Sequence, residues 1–211
     1  MFDFNEFRRL IAALDEHQID YALCGGIAMA IYDRPRATVD IDLLILSGSL
    51  DGVRAIATDL GYTIRGMEMT FSNGAIEIRR VSKIDSETGH ALSLAFLLAT
   101  PEIKQAWDSR VQADWEGGKL SVVSREGLIW LKKMRGSAQD HADIIALMED
   151  VDERQIDMSA KAITARLKLV SQLRRLCLSL GTAKIKTRPL VETPAVKNHE
   201  QVPNDPEYQR R

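Results

Sequence analysis

Two apolar runs, separated by a glycine turn and a short helix-forming segment, constrain the fold of this chain more than any other feature. The first run, residues 19–24, stops at Gly25-Gly26, and the following IAMAIY has residues that favour a helix. The second run, residues 39–46, is rich in β-branched and aliphatic residues, which is typical of a central strand. The pattern predicts strand, glycine turn, helix and strand in succession.

The remainder of residues 1–123 predicts an α/β (α+β) core in which helices flank a mixed sheet. Apolar residues at three- and four-residue spacing indicate an amphipathic helix over 5–17. Further strands are predicted over 62–64, 68–71, 75–81 and 91–97, helices over 47–60 and 101–110, and a hairpin with the turn Glu116-Gly117-Gly118.

Residues 124–181 predict a helical region attached to this core. Ser124 is a typical N-cap, Gly136-Ser137 interrupts the helical pattern, and residues 159–180 form a long amphipathic pattern. The last segment, 182–211, holds four prolines among polar residues and too little apolar content to offset the entropy of ordering. We expect a disordered tail there.

Charge and cysteine content exclude several classes of protein. The formal net charge of -2 gives no overall attraction to nucleic acid or to an anionic membrane. The two cysteines, Cys24 and Cys177, are far apart and suggest neither a disulfide framework nor a thiolate metal site. No apolar run is long enough to span a bilayer, so we expect a cytoplasmic protein without a membrane partner.

Asp40 and Asp42 are the first candidates for chemistry. Because side chains alternate along a strand, both carboxylates project from one face, about 7 Å apart at the backbone. Such a pair can hold a magnesium ion that bridges the phosphates of a nucleotide. The alternative is a solvated strand edge, which is the commoner origin of this spacing.

Gly25 and Gly26 open a predicted helix directly after a strand. Backbone N–H groups at such a turn can receive a phosphate, and a side chain there would block its approach. Arg36 and Thr38 precede the acidic strand and are candidates for contact with a triphosphate. The alternatives are a tight turn that needs a positive φ and a solvated loop.

The segment CGGIAMAIYDRPRATVDIDLLI resembles the signature of nucleotidyltransferases related to the minimal nucleotidyltransferases and to AbiEii-type toxins. In that signature a Gly-Gly turn precedes an Arg-x-Thr-x-Asp-x-Asp strand, which here matches Arg36, Thr38, Asp40 and Asp42. The later SREGLIWLKKMRGSAQDHADIIAL is similar to the second landmark of these proteins, in which a lysine helix precedes an Asp-x-x-Asp-Ile helix. The matching residues are Lys132, Asp140 and Asp143.

The resemblance implies a nucleotidyltransferase fold and a metal-dependent transfer of a nucleoside monophosphate. The donor would be a nucleoside triphosphate, the acceptor a hydroxyl on RNA, protein or a small molecule, and the metal Mg²⁺ or Mn²⁺. Asp40 and Asp42 would hold the metal. The nucleotide contacts implied are Gly25, Gly26, Arg36, Thr38 and Lys132. An antitoxin or another partner protein is a further expectation.

One departure from the family pattern leaves catalytic activity open. Such enzymes usually carry a third carboxylate on a later strand, and the corresponding position here is Ala95. Glu77 has the same apolar-acid-apolar context, and it supplies the third carboxylate if its strand lies beside that of Asp40. The alternative is that Glu77 is an outward polar residue on a half-buried strand. Without a third acid, the chain is a catalytically impaired nucleotide-binding or protein-interaction module of the same fold.

Two further features each have two interpretations. Lys132, Asp140 and Asp143 either serve the substrate or form salt bridges on a helix surface. Residues 159–191 are basic and contain no acid, which suggests an RNA-binding strip or, preferably, a solvated helix face paired with the acidic residues before it.

Overall fold

A computed structural model describes residues 2–86, 88–149 and 156–182 of the chain. The helices are α1 (Phe4–Glu16), α2 (Gly25–Ile31), α3 (Leu50–Asp59), α4 (Lys104–Asp108), α5 (Arg125–Arg135), α6 (Ala138–Met148) and α7 (Ala160–Thr182). The strands are β1 (Ala22–Leu23), β2 (Asp40–Ile45), β3 (Ile64–Arg65), β4 (Met69–Phe71), β5 (Ile76–Ile84), β6 (Ala91–Leu98), β7 (Val111–Trp115) and β8 (Gly118–Val122). Residues up to Gly181 form one compact unit, so the helical region packs with the core. The tail predicted for 182–211 lies outside the described residues, apart from Thr182.

The strands form a mixed sheet in the order β3-β5-β6-β2-β1-β8-β7, and β4 pairs with the start of β5. β2 runs parallel to β6 and β1 runs parallel to β8, whereas the other pairings are antiparallel. The predicted α/β fold with a mixed sheet flanked by helices is confirmed.

The register of the three central strands decides which side chains share a face. Asp42 on β2 lies opposite Ala95 on β6, and Ala95 lies opposite Arg80 on β5. Since residues directly opposite each other point to the same side, these three belong to one face, with Asp40 two residues before Asp42. We call it the carboxylate face. The other face of β2 presents Ile41, Leu43 and Ile45, which are buried in the core.

Local sequence signals place α5 and α6 beside the carboxylate face. The Ser124 hydroxyl accepts a hydrogen bond from the Gly127 amide at the start of α5. Gly136, with a φ of 66°, ends α5 in the left-handed region, and Ser137 then begins α6 with a capping box to Asp140. The break between the two helices is therefore fixed by the Gly136-Ser137 pair.

The first half of α7 packs on the core through Ile163, Leu167 and Val170, all of which are buried. Its cations are partly paired: Arg166 contacts Asp33 at 3.2 Å, Lys168 contacts Glu116 at 3.4 Å and Arg175 contacts Asp3 at 3.1 Å. These three carboxylates lie outside the acidic segment before the helix, but Arg166 also donates a hydrogen bond of 2.8 Å to the backbone oxygen of Asp157 within it. All of these contacts reduce the charge open to a nucleic acid. Among the described helices, none combines the length and apolarity needed to cross a bilayer.

Candidate active site

The two aspartates and the diglycine turn meet at one point of the structure. Asp40 and Asp42 lie on the carboxylate face, and the Asp42 carboxylate lies against the turn, beside Gly25 and near enough to the Gly26 amide for that amide to favour its ionised form. The Cys24 amide donates to the backbone oxygen of Asp42 at 3.1 Å, which holds the end of β1 against β2. The turn that the sequence suggested for a phosphate thus lies directly beside Asp42.

Both the backbone conformation at position 25 and the atoms around it require a glycine. Its φ of +59° lies in the left-handed region, and an added Cβ would stand 2.0 Å from Oδ2 of Asp42. At Gly26 an added Cβ would stand 2.7 Å from the Cβ and Oγ1 atoms of Thr38. Both glycines therefore allow the turn to approach the acidic strand closely.

We predict that Gly25→Ala destabilises the fold by about 2–4 kcal/mol, because backbone strain adds to a collision with a confined carboxylate. Gly74→Ala is the matched control, since Gly74 also has a positive φ, +95°, but an added Cβ meets nothing within 4 Å. That variant should lose only the strain, about 1 kcal/mol. Chemical denaturation of both proteins measures the difference, and equal losses would contradict the close approach at Asp42.

A cavity opens between the carboxylate face and α5. Its walls are formed by Cys24, Gly25, Asp42, Ile76, Ile78, Ala95, Leu97, Leu128, Leu131, Lys132, Arg135 and Asp140. The volume of about 50 Å³ holds a few water molecules or an ion, not a whole nucleotide. A nucleotide at Asp42 would therefore extend from this cavity toward solvent.

Lys132 faces the cavity but belongs to a buried charge network. Its Nζ lies 2.5 Å from Oδ2 of Asp143 and 3.7 Å from Oδ1 of Asp140, and all three side chains are almost fully buried. Arg135 completes the network with two hydrogen bonds to Asp140, at 2.7 and 2.6 Å. The salt bridges proposed for these residues exist, but they lie inside the protein rather than on a helix surface.

The carboxyl groups of the network remain ionised. Burial opposes ionisation of Asp140, yet hydrogen bonds from Arg135 and Ser137 lower its pKa to about 2. Burial likewise opposes ionisation of Asp143, and hydrogen bonds from Arg36 and Lys132 lower the pKa of that carboxyl. Asp140 lines the cavity as a fixed negative charge and a weak base.

Arg36 and Thr38 hold the acidic strand in place. Arg36 donates two hydrogen bonds of 2.9 Å from Nε and Nη2 to the Asp143 carboxylate, which ties the segment before β2 to α6. Thr38 is buried against Gly26. A direct contact of either residue with nucleotide stays a prediction.

The structure corrects the interpretation of Glu77 as a replacement ligand. β6 lies between β5 and β2, so the strand of Glu77 is not beside that of Asp40. Glu77 is also three residues from Arg80 and therefore points to the opposite face, where it accepts a hydrogen bond from Arg79 at 2.9 Å. The place opposite Asp42 is held by Ala95, which has no ligand atom.

Arg80 is a residue that the sequence reasoning missed. Its Nη2 lies 2.8 Å from Oδ2 of Asp40. The alternation in β5 puts Arg80 on the same side as Ile76 and Ile78, but only the strand order shows that this side faces the aspartates. Within the described residues, no cluster of three or more His, Cys, Asp or Glu side chains is arranged to hold a metal.

The surroundings of Asp42 disfavour the ionised form of its carboxyl group. Burial, followed by repulsion from Asp40, raises its pKa from 3.8 to about 6, although Arg135, the Gly26 amide and Lys132 act in the opposite direction. The folded protein thus binds this proton more tightly than the unfolded chain does. Protonation of Asp42 stabilises the fold below about pH 6, and this contribution is lost as the pH rises through that value.

We predict that Asp42→Asn is more stable than the wild-type protein at pH 8 in the presence of a chelator. The variant removes a charge that desolvation and repulsion from Asp40 disfavour, and it keeps the shape of the side chain. As the pH falls from 6 to 4 the wild-type carboxyl takes up its proton, so the difference should vanish. Thermal unfolding of both proteins across this range provides the test, and a difference independent of pH would contradict it.

The mixed sheet, with two carboxylates beside a diglycine turn, defines the class of nucleotidyltransferases. Within that class the chain belongs to the AbiEii family: the family described as "Nucleotidyl transferase AbiEii toxin, Type IV TA system" matches residues 8–134. No curated protein matches the sequence.

The chain is also similar to several solved structures, each with a TM-score below 0.5. The lincosamide antibiotic adenylyltransferase LnuA, with lincomycin bound, is 17% identical, covering 71% of this chain and 98% of that one, with a TM-score of 0.48. A putative nucleotidyltransferase from Thermotoga maritima is 13% identical, covering 69% and 91%, with a TM-score of 0.45. ANT(2")-Ia in complex with adenylyl-2"-tobramycin is 19% identical, covering 83% and 96%, with a TM-score of 0.43.

Proposed function

We propose that the protein transfers a nucleoside monophosphate from a nucleoside triphosphate to a hydroxyl group, with Mg²⁺ or Mn²⁺ held by Asp40 and Asp42. The observation that carries the proposal is that the Asp42 carboxylate lies against the Gly25-Gly26 turn, with Asp40 beside it on the same side of the sheet. The acceptor is a hydroxyl on RNA, protein or a small molecule. The family description supports a role as the toxin of a toxin–antitoxin pair, with an antitoxin as partner.

The carboxylate oxygens of Asp40 and Asp42 are suitable ligands for one divalent ion. Mg²⁺ in nucleotide sites is commonly held by one or two carboxylates, while phosphate oxygens and water complete its coordination. When held by Asp40 and Asp42, the ion would supply positive charge that neutralises the charge developing on the leaving pyrophosphate. Lys132 and Arg135 add positive potential beside the Asp42 carboxylate.

Transfer also requires a base that removes the proton from the acceptor hydroxyl. Ala95 supplies no base, and Asp140, with a pKa of about 2, is a poor one. This observation favours a second candidate function, in which the protein binds nucleotide without turnover.

Labelled triphosphates distinguish the two functions. Each of the four nucleotides would be incubated with the protein and Mg²⁺ in the presence of total RNA or total protein. We expect covalent label in one acceptor fraction and none when the metal is chelated. Nucleotide binding by equilibrium dialysis without transfer would support the second candidate, and the absence of both would reject the proposed function.

A further inference from the structure

Arg80 reaches the metal-binding carboxylates from two strands away. Neighbouring strands are about 4.8 Å apart, so the backbones of β5 and β2 are separated by roughly 10 Å. The side chain therefore passes over β6, where Ala95 presents only a methyl group. Ser93, the next residue on that face, has its hydroxyl in a hydrogen bond of 2.9 Å with Ser82. The small residue at position 95 opens the path to Asp40.

The two aspartates consequently differ in their electrostatic partners. Asp40 has the Arg80 guanidinium at 2.8 Å. Asp42 has no ion pair among the described residues, because Lys132 and Arg135 are bonded to Asp143 and Asp140. One carboxylate thus has a fixed cation, and the other is left for a cation from solution.

Stability alone does not explain the Arg80–Asp40 pair. The pair is partly exposed, with 38% of the Arg80 side chain accessible, and such pairs contribute little to folding. The Arg80 Nε atom is buried and makes no hydrogen bond within the part of the chain described. The same holds for the Nε atoms of Arg54, Arg166 and Arg174, so the case for a role at the site rests on the 2.8 Å contact between Arg80 and Asp40.

We propose that Arg80 takes the place of a second metal ion, holding Asp40 so that the carboxylate pair binds a single divalent cation; the inference rests on the proposed function. Two-metal sites place both ions about 3.5–4 Å apart between anionic ligands. Here the β6 side of the pair offers a methyl group, and the guanidinium repels a second ion. Arg80 acts through its fixed positive charge beside Asp40, so its removal should raise the affinity of the pair for a cation.

Manganese binding, followed by electron paramagnetic resonance and calorimetry, tests this role without measuring activity. Mn²⁺ alone is the probe. We expect one ion per wild-type chain and an affinity about tenfold higher in Arg80→Gln, because a nearby positive charge is removed. Arg80→Lys, which retains the charge, should stay close to wild type.

The neighbouring Arg79→Gln is the matched control. Arg79 lies on the same strand but on the opposite face, bonded to Glu77 and Glu68. Its replacement should leave the manganese affinity unchanged. An equal increase in both variants would show that only the overall charge matters, which would overturn the inference.

A double variant tests the stoichiometry. Ala95→Asp combined with Arg80→Gln supplies a third carboxylate and removes the guanidinium, so we expect two manganese ions per chain. Two ions in the wild-type protein, or no change of affinity in Arg80→Gln, would overturn the inference.

The role of Arg80 and the transferase function can fail independently, and the two measurements distinguish these cases. If the wild-type protein transfers nucleotide but Arg80→Gln binds manganese as wild type does, only the role of Arg80 is rejected. If Arg80→Gln gains manganese affinity while no triphosphate is bound or transferred, the role of Arg80 stands and the transferase function is rejected.

Discussion

Asp42→Asn should reduce nucleotide transfer by about 100-fold or more while the protein stays folded, because loss of one preorganised charge at a reacting phosphate has an effect of this size. The amide keeps the shape of the side chain but loses the negative charge that would hold the proposed divalent ion. Asp40→Asn should have an effect of the same order and should also release Arg80. Incorporation of labelled nucleotide into the acceptor found by screening is the measurement.

Glu77→Gln is the control for both variants. Glu77 lies on β5, on the opposite face of the sheet, and accepts a hydrogen bond from Arg79. Its replacement should therefore leave the transfer rate unchanged. Loss of activity in this control would mean that the register of β5 differs from the one described. Full activity in Asp42→Asn would reject the carboxylate mechanism.

Asp143→Ala should lower the free energy of unfolding by about 3–5 kcal/mol, since removing one partner of a buried ionic network leaves the others without compensation. The Asp143 carboxylate accepts hydrogen bonds from Arg36, Lys132 and Gln139. Without it Lys132 stays buried, with only Asp140 at 3.7 Å. Urea denaturation monitored by circular dichroism measures the change.

Two further variants separate the network from a general effect of removing an aspartate. Asp108→Ala breaks an exposed pair with Lys104 and should change the stability by no more than about 0.5 kcal/mol. Adding Lys132→Met to Asp143→Ala should recover part of the loss, because the buried charge is then removed. A loss below about 1 kcal/mol in Asp143→Ala would indicate that solvent reaches Lys132.

Local sequence patterns predicted the elements that build the site. The turn at Gly25-Gly26, the strand of Asp40 and Asp42, and the helix break at Gly136-Ser137 follow from residue preferences over a few positions. The strand predicted over 19–24 is shorter than expected, with pairing confined to Ala22–Leu23. Pairing depends on neighbouring strands, which a local pattern does not specify.

The sequence by itself determined that Asp40 and Asp42 share a face, because alternation along a strand is a property of the backbone. Only the tertiary structure decided what surrounds them: Ala95 opposite Asp42, Arg80 reaching Asp40 across β6, and Glu77 turned away. The same holds for Lys132, whose partner Asp143 is brought to it by the packing of α6. Strand order and register arise from contacts between residues distant in the chain, and no spacing within a single segment encodes them.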